Sequence, residues 1–146
     1  MVPLIVLTIS FLVLRGIGVL VPWFADWQNC LRGALGAMFL LTASAHWGKR
    51  RPDLIRMVPR AFGHAALWVT FTGFAEIAIA AGLQVPSASK WFAIAAIVMM
   101  LCLFPANVKA SREKLTIGGR PVPGVLVRGL IQVVFITALA ASAWPR

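Results

Sequence analysis

The sequence predicts an all-α membrane protein: a polytopic helical bundle in one domain over residues 1–146. Three observations carry this prediction. First, 60% of residues are hydrophobic and only 12% are charged, against about a quarter charged in soluble domains. The mean hydropathy is +0.88, and a single core of this size cannot bury that much apolar surface. Second, five apolar runs approach the roughly 20 helical residues needed to cross a hydrocarbon layer. Third, the basic residues gather in two of the four loops between those runs, as in a chain oriented by its flanking charge.

The runs, taken in order, cover residues 3–24, 30–47, 63–83, 90–107 and 125–144. They show no strand-like alternation, and lipid requires each backbone to satisfy its own hydrogen bonds, so helices are expected. The first run has no basic stretch before it and no small-residue cleavage site, so it is read as a retained helix. Residues 51–59 form a short interfacial helix, with Pro52 in its first turn and Pro59 closing it. Near the end of the fourth run, Pro105 removes a backbone donor and crowds the carbonyl of Leu101, which bends or ends that helix.

The loop charges set the orientation. Lys49, Arg50, Arg51, Arg56 and Arg60 lie in one loop, and Lys109, Arg112, Lys114 and Arg120 in another. The remaining two loops hold only Arg32 and Lys90, near helix ends. The positive-inside rule puts the two basic loops and the N-terminus in the cytoplasm and the C-terminus outside. The net charge of +10 is therefore read as a topology signal, and nucleic acid is excluded as a partner because the charge forms no single basic face. Trp23, Trp27, Trp91 and Trp144 fall at the outer interface and Trp47 at the inner one, the headgroup depth that tryptophan favours. Cys30 and Cys102 lie about 18 Å apart in depth at 1.5 Å per helical residue, too far for a disulfide.

Polar groups inside these helices are the candidate site, because lipid penalises them and they mark function by default. Arg15 and Glu76 fall at equal depth, about 20 Å from the inner side by the same rise, which allows a buried ion pair. The alternatives are a neutral Glu76 bonded to backbone and a carboxylate in an intramembrane cavity. Gly73 and Ala80 flank Glu76 on a face that allows close helix approach. A second layer holds His46, His64, Asn107, Arg128 and Gln132 at the cytoplasmic ends of their helices. Arg128 and Gln132 stand four residues apart, on one helical face. Two histidines without nearby cysteine or carboxylate do not make a metal site, and none is expected.

Five short motifs in register resemble those of the DoxX family of membrane proteins. They are Leu31 through His46-Trp47, Arg51-Pro52-Asp53 through Met57-Val58-Pro59, Gly73-Phe74-Ala75-Glu76-Ile77, Phe104-Pro105-Ala106-Asn107 and Arg128 through Gln132. The resemblance implies four core transmembrane helices, with residues 3–24 as one further N-terminal transmembrane helix, in a bacterial cell membrane. It assigns no role to Arg15, and Trp47 stands where the family usually has phenylalanine. Paired cysteines, which thiol-oxidising relatives use, are absent from the sequence.

The resemblance also implies a redox-associated subunit that docks a quinone. His46, Asn107, Arg128 and Gln132 would supply donors to the carbonyls and Glu76 would accept protons, within an apolar slot for the tail. No haem ligand pair, flavin site or dinucleotide fingerprint is present, so no resident cofactor is evident. Electrons would come from a soluble partner at the cytoplasmic loops. A non-redox binder or transporter of a small hydrophobic molecule, anchored on Glu76, fits the residues equally well. A structural membrane subunit is a third reading.

Overall fold

A computed structural model of the chain describes residues 2–143. Trp144, expected in the outer tryptophan belt, lies outside the described residues. Within them the chain is all-helical apart from one two-stranded ribbon. The helices are α1 (Val2–Ile17), α2 (Trp27–Ser44), α3 (Arg51–Met57), α4 (Ala65–Gly82), α5 (Ser89–Arg112) and α6 (Val125–Ala143). Strands β1 (Thr116–Ile117) and β2 (Arg120–Pro121) pair antiparallel between α5 and α6.

Helix α1 is shorter than its apolar run. It ends at Ile17, and Pro22–Ala25 form a separate 3-10 turn. Gly18 permits this reversal, because a Cβ there would stand 2.3 Å from the carbonyl oxygen of Phe24. Sixteen residues span only about 24 Å at 1.5 Å per residue. Helix α2 then starts on a defined cap: Asp26 accepts a 2.9 Å hydrogen bond from the Gln28 amide, the usual service of an N-cap carboxylate.

The four long helices close into a ring. α2 contacts α4 and α6, and α5 contacts α4 and α6, while α1 packs outside the ring against α2. Successive members run antiparallel, as the hydrogen bonds between their ends require. Gln84 beyond α4 donates to the carbonyl of Arg32 in the first turns of α2. Gln28 of α2 donates to Ala141 near the end of α6. Arg128 of α6 meets Asn107 late in α5.

The core sits around α2. Ala34, Leu35, Met38 and Phe39 are buried against Ile79, Ala80 and Leu83 of α4, Ala93 and Ala96 of α5, and Phe135 and Leu139 of α6. The outer faces are apolar as well, with Leu67, Phe71, Phe74, Leu101, Leu126, Leu130 and Val133 exposed. Three helices, α4, α5 and α6, are long and apolar enough to cross a membrane. α2 buries Gln28 and, with few exposed positions, is the most enclosed of the long helices.

Two sequence expectations change here. Pro105 does not end its helix, since α5 continues through it to Arg112. Its missing N–H frees the Leu101 carbonyl without halting the following turns. The ribbon was not anticipated, although Gly118 and Gly119 carry its signal. Both adopt positive φ, 57° and 76°, the backbone that a two-residue hairpin loop needs.

Candidate functional site

The polar residues that the sequence divides into two depths are regrouped by the fold. Glu76, 8% exposed, lies on the inner face of α4, and its partner is His46 rather than Arg15. His46 Nδ1 stands 3.8 Å from Glu76 Oε2, beyond hydrogen-bond length. Arg15 is exposed and donates at 2.7 Å to the backbone carbonyl of Ala25. The expected Arg15–Glu76 ion pair is therefore not formed. Its premise of equal depth assumed a straight helix over 3–24, whereas α1 stops at Ile17 and the chain turns back beside Arg15.

The last turn of α2 positions His46. Ala45 and His46 continue past Ser44 as a turn, with the His46 amide bonded to the Ala43 carbonyl at 2.9 Å. The ring nitrogen Nδ1 lies 3.1 Å from the carbonyl of Thr42. That contact is a hydrogen bond when Nδ1 carries the proton, which leaves Nε2 as the ring's acceptor. Thr42 itself donates at 3.0 Å to Phe39 and lies within reach of the Glu76 carboxyl. Thr42 was absent from the sequence reading. Its place four residues before His46, on the same helical face, was the available signal.

Gly73 sets the approach of α2's end to α4. A Cβ at Gly73 would lie 2.8 Å from both His46 Cβ and the Trp47 ring, so only glycine admits this contact. Trp47 packs edge-on against Phe74 with ring centroids 5.1 Å apart. Both aromatics face outward, Trp47 44% and Phe74 61% exposed, and they screen the His46–Glu76 pair on its apolar side. Arg51 braces the same end by donating to the His46 carbonyl at 2.7 Å and to Thr70 Oγ1 at 2.9 Å.

A second pair joins α5 and α6: Arg128 Nη2 donates to Asn107 Oδ1. Gln132, one turn further along α6, is buried. No hydrogen bond or ion pair among the described residues links this pair to His46 or Glu76. His64 is not part of either group, because it is exposed in the turn before α4 with a positive φ of 27°.

Among the described residues, two buried side-chain atoms lack a hydrogen-bond partner, Glu76 Oε2 and Arg128 Nε. Leaving a buried polar atom unpaired costs about 1–3 kcal/mol, and native proteins keep few of them. One is an acceptor on the α2–α4 side of the ring and the other a donor on the α5–α6 side. No group of three or more metal-ligating side chains occurs among the described residues.

The opposite end of the ring carries a third polar set, of which the sequence showed only Arg32, as loop charge. Arg32 Nε donates at 2.9 Å to the Ser142 carbonyl, and Gln28 donates at 3.2 Å to Ala141. Together they donate to carbonyls in the last described turn of α6. Cys30 and Cys102 are both free thiols, the first buried and the second exposed.

The fold and these inward-facing groups define an all-helical bundle with membrane-length apolar helices and a polar interior at its basic end. By its sequence the chain belongs to a family described as a domain of unknown function, DUF8561, whose model matches residues 35–144. No curated protein and no solved structure matches it.

Proposed function

We propose that the chain is an integral membrane protein that docks a quinone or similar lipophile by its polar head between the His46–Glu76 and Asn107–Arg128 pairs, as a subunit of a redox system. The observation that carries this reading is the buried Glu76 Oε2, without a hydrogen-bond donor and 3.8 Å from His46. Such an atom is satisfied by a ligand that brings a hydroxyl, and the unpaired Arg128 Nε is satisfied by one that brings a carbonyl. The quinol places two hydroxyls on one flat ring, one to donate to Glu76 Oε2 and one to accept from Arg128 Nε, and the quinone keeps a carbonyl for Arg128. The exposed Trp47–Phe74 pair gives the tail an apolar wall at the lipid side. Glu76 can accept or release protons as a quinone is reduced by two electrons and two protons, the electrons coming from a soluble donor.

In this proposal α2, α4, α5 and α6 are the four core spans and α1 is a further N-terminal one. The closed antiparallel ring supports that division, as does a family match that begins inside α2 and leaves α1 out. The basic loops face the cytoplasm, where they receive a soluble electron donor. The resemblance to DoxX motifs supports the redox assignment.

The test is mass spectrometry of lipophiles that co-purify from membranes with the wild-type protein and with His46→Ala, Asn107→Ala and Glu76→Gln variants. A quinone held by the wild type and depleted in His46→Ala and Asn107→Ala is the expected result. Equal quinone content in all samples overturns the proposal. A different lipophile, lost only in Glu76→Gln, would instead make the chain a non-redox binder.

A further inference from the structure

At the basic end, apart from the polar pairs, an open crevice of about 470 Å³ lies between α3, the 3-10 turn at Arg60–Phe62 and the end of α5. It shares no lining residue with His46, Glu76, Asn107 or Arg128. We propose that this crevice binds the headgroup of an anionic phospholipid, with Arg60 as the principal phosphate contact. The inference rests on the membrane placement proposed above.

Its lining has two characters. Arg56, Arg60 and Lys109 supply three basic side chains against one acid, Glu113, while Val58 and Leu115 form an apolar wall. A free anion has no use for the apolar wall. A phospholipid uses both, placing its phosphate among the cations and its glycerol and upper chain on the wall. The volume falls within the range of small-molecule sites.

The cations are not equivalent. Lys109 donates to the carbonyls of Arg56 and Val58 at 2.7 and 2.9 Å, so it ties α5 to the end of α3 and fixes the crevice's shape. Arg56 is held by Asp53. Arg60 is exposed, and its guanidinium has no protein partner among the described residues. It is the cation free to bind. Glu113 repels an anion, so the phosphate sits on the Arg56–Arg60 side. The surrounding Lys49, Arg50, Arg112 and Lys114 raise the local concentration of anionic lipid.

The experiment uses the full chain, extracted from membranes that have first been washed with carbonate. Binding of phosphatidylglycerol, phosphatidylcholine and inorganic phosphate is compared by native mass spectrometry and thermal shift. Phosphatidylglycerol is expected to bind about fivefold or more tighter than phosphatidylcholine, with Arg60→Gln removing about that factor. Arg120→Gln, outside the crevice, should leave the preference intact. Equal binding of the two lipids, or an unchanged preference in Arg60→Gln, overturns the proposal. So does inorganic phosphate that binds as well as the lipid, since the site would then serve a free anion. Release of the protein by carbonate would refute the membrane placement itself, a failure distinct from the loss of lipid preference.

Discussion

Gly73 and Arg32 show how single residues hold the two ends of the ring. At Gly73 any Cβ would meet His46 and Trp47 at 2.8 Å, and both of these belong to the backbone-anchored end of α2. Gly73→Val should therefore destabilise the fold by about 2 kcal/mol through overpacking, measured by unfolding in detergent, and should also deplete any ligand held at Glu76. At the other end, Arg32→Met keeps the packing of the stem but removes the guanidinium that donates to the Ser142 carbonyl. A loss of about 2 kcal/mol is expected in the same assay, typical of a lost hydrogen bond to a charged group. His46, Glu76, Asn107, Arg128 and Gln132 could be picked out in the sequence because lipid makes any inward polar group conspicuous. Which of them meet could not, because pairing depends on where helices stop. α2 ends at Ser44 and α1 at Ile17, and those two ends move His46 next to Glu76 and send Arg15 elsewhere.

Among the elements, the ribbon β1–β2 is anchored by one carboxylate. Asp53 of α3 accepts from the Gly118 amide at 2.8 Å and from Arg56. The Gly118 hydrogen bond first, and the Arg56 contact second, hold the Asp53 carboxyl below its ordinary value of 3.8. Both contacts favour the charged form. The tie is thus complete above the ordinary value and is lost as pH falls through the lower, folded-state value. Amide NMR should show the Gly118 resonance shifting only below about pH 4. Asp53→Asn should abolish that titration and speed exchange at Gly118. A pH-independent Gly118 signal in the wild type would contradict the anchor. Sequence reading located α2, α4, α5 and α6 to within a few residues because each is a continuous apolar run. It overextended the first run, where Gly16 and Gly18 mark the break, and it stopped α5 early at Asn107. It passed over Gly118-Gly119, whose hairpin geometry is carried by two residues in a loop read only for charge.

For the whole molecule the dividing line is between a closed ring and an appended helix. α1 touches the ring mainly through α2, with Leu14 against Gly33 and Leu7 reaching the core. A chain lacking residues 1–17 is therefore expected to remain helical and monodisperse in detergent, by circular dichroism and size exclusion. One truncated before Val125 should be lost to proteolysis, because α6 closes the ring; equal survival of both would argue against this division. Ring closure was not readable from composition, which gives spans but no neighbours. It emerges from end-to-end contacts such as Gln84 with Arg32 and Gln28 with Ala141. Those contacts also bear on how the protein is made. Gln28 and Arg32 belong to the first helix of the ring, yet their acceptors lie in the last helix to leave the ribosome. Until synthesis is nearly finished, these two polar side chains of α2 lack the α6 carbonyls they bond to in the finished fold, and an apolar surrounding would penalise them. On the membrane placement proposed above, this helix waits in the insertion machinery or at the membrane surface until the rest of the chain is made.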